Sequence, residues 1–204
     1  MLTTRTIAAT VHGRFLVRQG PPQRLLLGFH GYAETAEIHI EELSKIHGID
    51  RWTVAAVQAL HPFYSVRTQQ VVASWMTRLD RELAIADNLA YVRSVIESFR
   101  EPQTIVFFGY SQGAAMAYRA AADYGRGKGL IAIGGDVPPD VVDNVPPTLV
   151  ARGARDEYYS DEKFKKDLSF LRTITRVTSC AYDGGHEWTD EFREAAAKFL
   201  DGYK

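Results

Sequence analysis

Five residues constrain this chain more than any others: Gly109-Tyr110-Ser111-Gln112-Gly113. They lie between an apolar β-type run at 104–109 (TIVFFG) and the alanine-rich stretch Gln112–Tyr124, which Gly125 closes. A run of that kind predicts a buried strand, and the stretch predicts a helix with a glycine stop. The chain must therefore reverse from strand to helix at Ser111. A turn that tight presses the serine into a strained backbone conformation, and a side chain at either glycine would collide with neighbouring elements. The serine oxygen is pushed outward, and the first N–H groups of the helix, carrying about half a positive charge, point at whatever forms beside it. A serine serving merely as a helix N-cap would need neither glycine.

The rest of the chain alternates in the same way. Residues 6–11 and 14–18 read as a hairpin around His12 and Gly13. Arg24–Phe29 reads as a buried strand, 37–46 as a helix with Ile38, Leu43 and Ile46 on one side, and 53–59 as a strand. A long helix is expected at 81–99, strands at 130–134 and Thr148–Gly153, a helix at 162–171, a strand at 176–182 and a last helix at 191–200. Such alternation implies an α/β fold with a mostly parallel central sheet covered by helices on both faces. A length of 204 residues favours one domain, 1–204, and no repeat or low-complexity segment divides it. Pro138, Pro139, Pro146 and Pro147 mark a loop, and the longest irregular stretch, 60–74, is a candidate substrate loop.

Charge narrows the partners. Lys plus Arg total 24 against 25 for Asp plus Glu, a net charge of -1, which gives no pull toward nucleic acid and favours a small or neutral ligand. The sequence holds no apolar run of membrane-spanning length, and Met1 to Thr10 lack the apolar centre of a secretory signal, so a cytoplasmic location is expected. The single cysteine, Cys180, sits in a strand pattern and reads as an inert core thiol.

A serine hydroxyl needs a neighbouring imidazole to take its proton. Of six histidines, His186 falls in Asp183-Gly184-Gly185-His186-Glu187-Trp188, a loop between the last strand and last helix. His12, His39, His47 and His61 precede the elbow and read as surface or packing residues, with His61 able to line a pocket. An acid that orients the imidazole should fall between Ser111 and His186, on a loop after a strand. Asp156 has that position, with Asp136, Glu157 and Asp183 as competitors. The loop His30-Gly31-Tyr32-Ala33-Glu34 follows an early strand, where ligands sit in open parallel sheets. It is placed to offer the Tyr32 backbone N–H beside that of Gln112 to a developing oxyanion. His30 reads as fixing this loop by hydrogen bonding, and Glu34 as capping the next helix or pointing into the site, with the helix favoured. Metal-ligand spacings and dinucleotide-binding glycines are lacking, so no metal or cofactor is expected.

FHGYAE, GYSQGAAMA, GGDVPPD, ARGARDEYY and YDGGHEW together resemble the phospholipase/carboxylesterase family of small α/β-hydrolases, which includes acyl-protein thioesterases and bacterial carboxylesterases, over nearly the whole chain. The resemblance implies an α/β-hydrolase fold without a large lid domain. It implies a catalytic Ser111, Asp156 and His186, and oxyanion donors on the backbones of Tyr32 and Gln112. Four departures stand out: Ala33 and Ala114 occupy family glycine positions, Arg152-Gly153 replaces a common His-Gly, and Tyr158-Tyr159 replaces Val-Pro.

The expected activity is hydrolysis of a small-molecule carboxylic ester or thioester. Phe63, Trp75, Tyr158 and Trp188 are candidates for a short aromatic pocket, with Tyr32, Tyr64 and Met76 nearby. A peptidase or an acyltransferase on the same scaffold, or a non-catalytic binding module, stays open at this point.

Overall fold

The structure is a computed structural model describing residues 1–100 and 102–203. Seven strands form the main sheet: β1 (Phe15–Arg18), β2 (Arg24–Phe29), β3 (Thr53–Val57), β6 (Thr104–Tyr110), β7 (Gly129–Ile133), β8 (Thr148–Gly153) and β9 (Val177–Tyr182). Between β3 and β6 the chain makes two further short strands, β4 (His61–Tyr64) and β5 (Val71–Ser74), which pair with each other in antiparallel fashion. The order across the main sheet is β1-β3-β2-β6-β7-β8-β9, parallel throughout except for β1, which runs antiparallel to β3.

Helices α1 (Ala36–Ser44), α2 (Arg81–Glu97), α3 (Gln112–Tyr124), α4 (Asp161–Ile174) and α5 (Asp190–Asp201) cover both faces. The division follows the two-residue period of the strands. Leu25, Leu27 and Phe29 of β2 pack in one cluster with Val92 of α2, Met116 of α3 and Leu168 of α4. Leu26, between them, packs on the opposite side with Leu43 of α1 and Phe192 of α5. Because both faces are covered, the central strands are apolar at nearly every position. Three helices start on side-chain caps: Thr35, Ser160 and Thr189 accept the backbone N–H groups of Ile38, Lys163 and Phe192.

The path of the chain determines where a ligand can sit. It builds β1, β3 and β2 on one side, then moves through α2 to β6 and works outward to β9. The direction of growth thus reverses between β2 and β6, which pair with Phe29 opposite Gly109. The loops leaving the carboxyl ends of these two strands diverge and leave a crevice at that point.

Several expectations need correction. Residues 6–11 form no strand and are exposed; β1 pairs with β3, so there is no hairpin around His12 and Gly13. The run TIAATV has the composition of a strand but no apolar surface to cover it. Helix α1 begins one residue earlier and ends two earlier than expected, and Ile38 is 45% exposed while His39 takes the inward position. The 60–74 segment is not irregular, since it carries the β4–β5 hairpin. Among the described residues, no helix is long and apolar enough to cross a membrane.

Candidate active site

Strand β6 ends at Tyr110 and α3 begins at Gln112, so Ser111 alone makes the reversal, at φ 54° and ψ -120°. That positive φ is costly for a residue with a side chain and persists only where the surroundings enforce it. Two glycines make room for the enforcing contacts. A Cβ on Gly113 would run into the carbonyl oxygens of Phe29 and His30, and one on Gly109 into the backbone of Gly113 and Ala114. The first turn of α3 thus lies directly against the end of β2. The side chain of Gln112 adds a tie on the other side: its Oε1 accepts the Trp75 N–H at 3.0 Å, and its Nε2 donates to Met76 O at 3.0 Å.

Ser111, His186 and Asp156 come together. The Ser111 Oγ lies 2.8 Å from His186 Nε2, and His186 Nδ1 lies 2.8 Å from Asp156 Oδ2. The Asp156 side chain is fully enclosed, and its other oxygen accepts the N–H groups of Tyr158 and Tyr159, both at 2.9 Å. With both oxygens occupied, the carboxylate has one orientation. Neutral His186 therefore carries its proton on Nδ1 and presents a bare Nε2 to the serine. Among the competing acids, Asp136 pairs with Lys163 and Asp183 with Arg155, and the imidazole Nδ1 is taken by Asp156 rather than by its neighbour Glu157.

The histidine loop is clamped from both ends by tyrosine hydroxyls. Tyr110 donates to His186 O and Tyr182 donates to Glu187 O, each at 2.7 Å. Trp188 anchors the same loop by stacking on Phe108, with ring centroids 5.1 Å apart, so its indole belongs to the core behind the histidine and not to the cleft.

The loop after β2 is fixed by His30, which is fully buried. Its Nδ1–H donates to Gly31 O at 2.7 Å and its Nε2 accepts the Ala59 N–H at 3.1 Å. Burial lowers its pKa to about 4, so it stays neutral and holds that tautomer. The Tyr32 and Gln112 backbone N–H groups have no protein acceptor among the described residues. Ala33 sits at φ 57°, the left-handed region, while its N–H donates to Ala73 O. A left-handed backbone costs an L-residue roughly 1–2 kcal/mol, of which glycine's greater unfolded-state freedom cancels part. Ala33→Gly is therefore expected to raise stability by about 0.5–1 kcal/mol, read as a higher urea midpoint at unchanged slope.

A cleft of about 350 Å³ opens over the serine, lined by Gly31, Tyr32, Glu34, Tyr110, Ser111, Tyr158 and His186. Tyr158 lies in it, its ring centroid 5.0 Å from that of His186. Phe63 does not line it but stacks under Tyr32 at 5.5 Å. Trp75 requires correction: it is wholly buried, edge-on to Phe29, with its Nε1–H donated to His30 O, and it cannot meet a ligand. An indole this large has more apolar surface to bury in the core beneath the elbow than in a small cleft.

One cleft residue, Tyr110, escapes the sequence reading, and Glu34 takes the less favoured of its two readings. Tyr110 reads as one more residue of an apolar strand. Thr35 caps α1 and Glu34 folds back, its Oε2 accepting the Gly31 N–H at 2.8 Å. Burial pushes its pKa above the usual carboxylate range, against the pull of the Gly31 N–H and of His186.

No protein-family model and no curated protein matches the sequence. Solved structures do match. A carboxylesterase from Bacillus cereus superposes with a TM-score of 0.77 at 18% identity, covering 94% of this chain and 95% of that one. A phospholipase/carboxylesterase from Dyadobacter fermentans gives 0.70 at 20% identity, over 95% of this chain and 98% of that one. Acyl-protein thioesterase 2 from Zea mays gives 0.76 at 15% identity, over 94% of this chain and 99% of that one. At such identities the likeness establishes the fold, which is that of the α/β-hydrolases; among the described residues there is no separate lid domain.

Proposed function

We propose that this α/β-hydrolase-fold chain, acting as one domain, is a serine hydrolase that cleaves carboxylic esters of small acyl substrates, thioesters included. The observation that carries the reading is the continuous hydrogen-bonded line from Ser111 Oγ through His186 to the enclosed Asp156. Ser111 Oγ attacks the ester carbonyl carbon as His186 Nε2 takes the hydroxyl proton. A C–O bond to the serine forms, and the carbonyl oxygen becomes an oxyanion held by the backbone N–H groups of Tyr32 and Gln112. Collapse breaks the bond to the alcohol, which leaves with the proton from His186, and the acyl group stays on Ser111. Water then attacks the acyl carbon, again giving its proton to His186. The acid is released as Ser111 recovers its proton. Asp156 stays ionised throughout and stabilises the imidazolium formed in each half. Each oxyanion donor is worth about 3 kcal/mol of transition-state stabilisation in such sites.

Carboxylesterases and thioesterases are this chain's structural neighbours. The cleft fits a compact acyl group. Side-by-side kinetics on p-nitrophenyl acetate, p-nitrophenyl butyrate and the matching p-nitroanilides test the reading. Hydrolysis of the esters with kcat/KM at least about 100-fold above that of the anilides is expected, since the anilide nitrogen must be protonated to leave whereas p-nitrophenoxide leaves with little general-acid help. Faster cleavage of the anilides would make the chain a peptidase instead.

A further inference from the structure

Resting on the hydrolase reading, we infer that the substrate's alcohol portion carries a positive charge, an alkylammonium group a few bonds from the scissile oxygen. Glu34 is the first reason. One of its oxygens takes the Gly31 N–H, while Oε1 makes no hydrogen bond and is not among the enclosed polar atoms, so it is presented to the cleft. The rest of the lining is the second. Three of its seven residues are tyrosines, and among the described residues no lysine or arginine lines it. Tyr32 and Tyr158 are 60% and 74% exposed, so their rings are open to a ligand. They stand on loops after β2, which neighbours the serine-bearing β6, and after β8, which lies beyond β7 on its other side. Aromatic faces beside one carboxylate form the chemistry that recognises alkylammonium groups.

Among the described residues no lysine or arginine pairs with Glu34, and the one positive group that acts on its charge is His186 when protonated. Arg155 pairs with Asp183, Lys163 with Asp136, and Arg193 and Lys45 with Glu42. A half-enclosed carboxylate disfavoured by burial gains most from a cation delivered by a ligand. The reaction fixes which half of the ester that is. His186 hands its proton to the leaving oxygen, so the alcohol lies on the imidazole side of the serine, where Tyr158 packs against the ring, within the one cleft that Glu34 also lines.

Butyrylcholine and its uncharged isostere, 3,3-dimethylbutyl butyrate, differ in this charge and little else. Wild type is expected to favour the choline ester in kcat/KM by about tenfold or more, the usual scale for a cation held by aromatic rings and a carboxylate. In Glu34→Gln, whose amide oxygen still accepts the Gly31 N–H, that ratio is expected to fall to about twofold whatever happens to the absolute rates. Tyr158→Leu is expected to lower the same ratio by about threefold while Tyr158→Phe preserves it, because the ring face and not the hydroxyl contacts the cation. A ratio near one in wild type would overturn the inference. So would Glu34→Gln lowering both rates equally, which would mark Glu34 as serving only the loop or the imidazole. Turnover of p-nitrophenyl butyrate with no turnover of either of these esters would overturn this inference and leave the hydrolase reading standing, whereas loss of all three would overturn both.

Discussion

Replacing Asp156 with asparagine is expected to lower kcat/KM for a p-nitrophenyl ester by about 10⁴-fold while the protein stays folded. The argument turns on one proton. Asp156 accepts from His186 Nδ1, so the second ring nitrogen faces Ser111 unprotonated and ready to receive. The amide of asparagine would keep its oxygen on the N–H groups of Tyr158 and Tyr159, which hold Oδ1 in the wild type. Its NH₂ would then face the imidazole and require Nδ1 to accept. The proton moves to Nε2, and the histidine points a donor at the serine it must deprotonate. The substitution preserves shape, and the tyrosine clamps on the histidine loop do not involve Asp156. A melting temperature within a few degrees of wild type should therefore accompany the rate loss, separating a wrong tautomer from a collapsed site. A rate loss under about tenfold would mean that the imidazole is oriented by something other than this carboxylate.

How far the sequence discloses this site depends on where each residue sits relative to the periodic elements. The strands buried on both faces are legible because they must be apolar at every position: β2 and β8 have the expected bounds, and β6 differs by one residue at its end. The elbow is legible for a related reason. Its glycines are demanded by close backbone contacts, Gly109 with the start of its own helix and Gly113 with the end of β2, and their spacing about a serine between an apolar strand and a helix shows in the sequence. Ser111, Asp156 and His186 each follow a strand end, and adjacent parallel strands bring their loops to one edge.

Other parts were hidden for equally physical reasons. Strands β4 and β5 are four residues each, mostly exposed in the case of β4, and too short for a period to emerge. Ile38 and His39 show a helix turned by one position. The apolar residue faces out because His39 fills the inner place, packed edge-on against Phe108 and Trp188. Trp75 was assigned to the pocket from its place near a loop, but a residue's distance along the chain from a loop does not fix the face on which its ring lies. Glu34 shows the same limit. Its carboxylate could cap a helix or point into the site, and Thr35, one residue on, supplies the cap and leaves Glu34 to turn back to Gly31 at the cleft. Choices between two local partners of similar strength are settled by tertiary contacts, which sequence periodicity does not record.

The larger prediction concerns Ser111, since every bond made or broken in the proposed cycle passes through its oxygen. Removing that oxygen leaves the imidazole and the N–H donors in place but with no covalent route. Ser111→Ala is therefore expected to lower ester kcat/KM by about 10⁵-fold or more, down to the residue that bound water and the oxyanion donors can provide. Alanine also sheds none of the elbow's strain, because φ 54° is as costly for alanine as for serine. The fold, held by the close approach of Gly113 to β2 and the Gln112 side-chain bonds, should persist.

A fluorophosphonate reports directly on a serine made nucleophilic by its neighbours, independent of which ester the protein uses. Incubated with the intact chain, it should add once, with the mass increase on the peptide containing residue 111, and it should leave Ser111→Ala unmodified. Equal modification of the alanine variant, or a label found on a different peptide, would contradict the account.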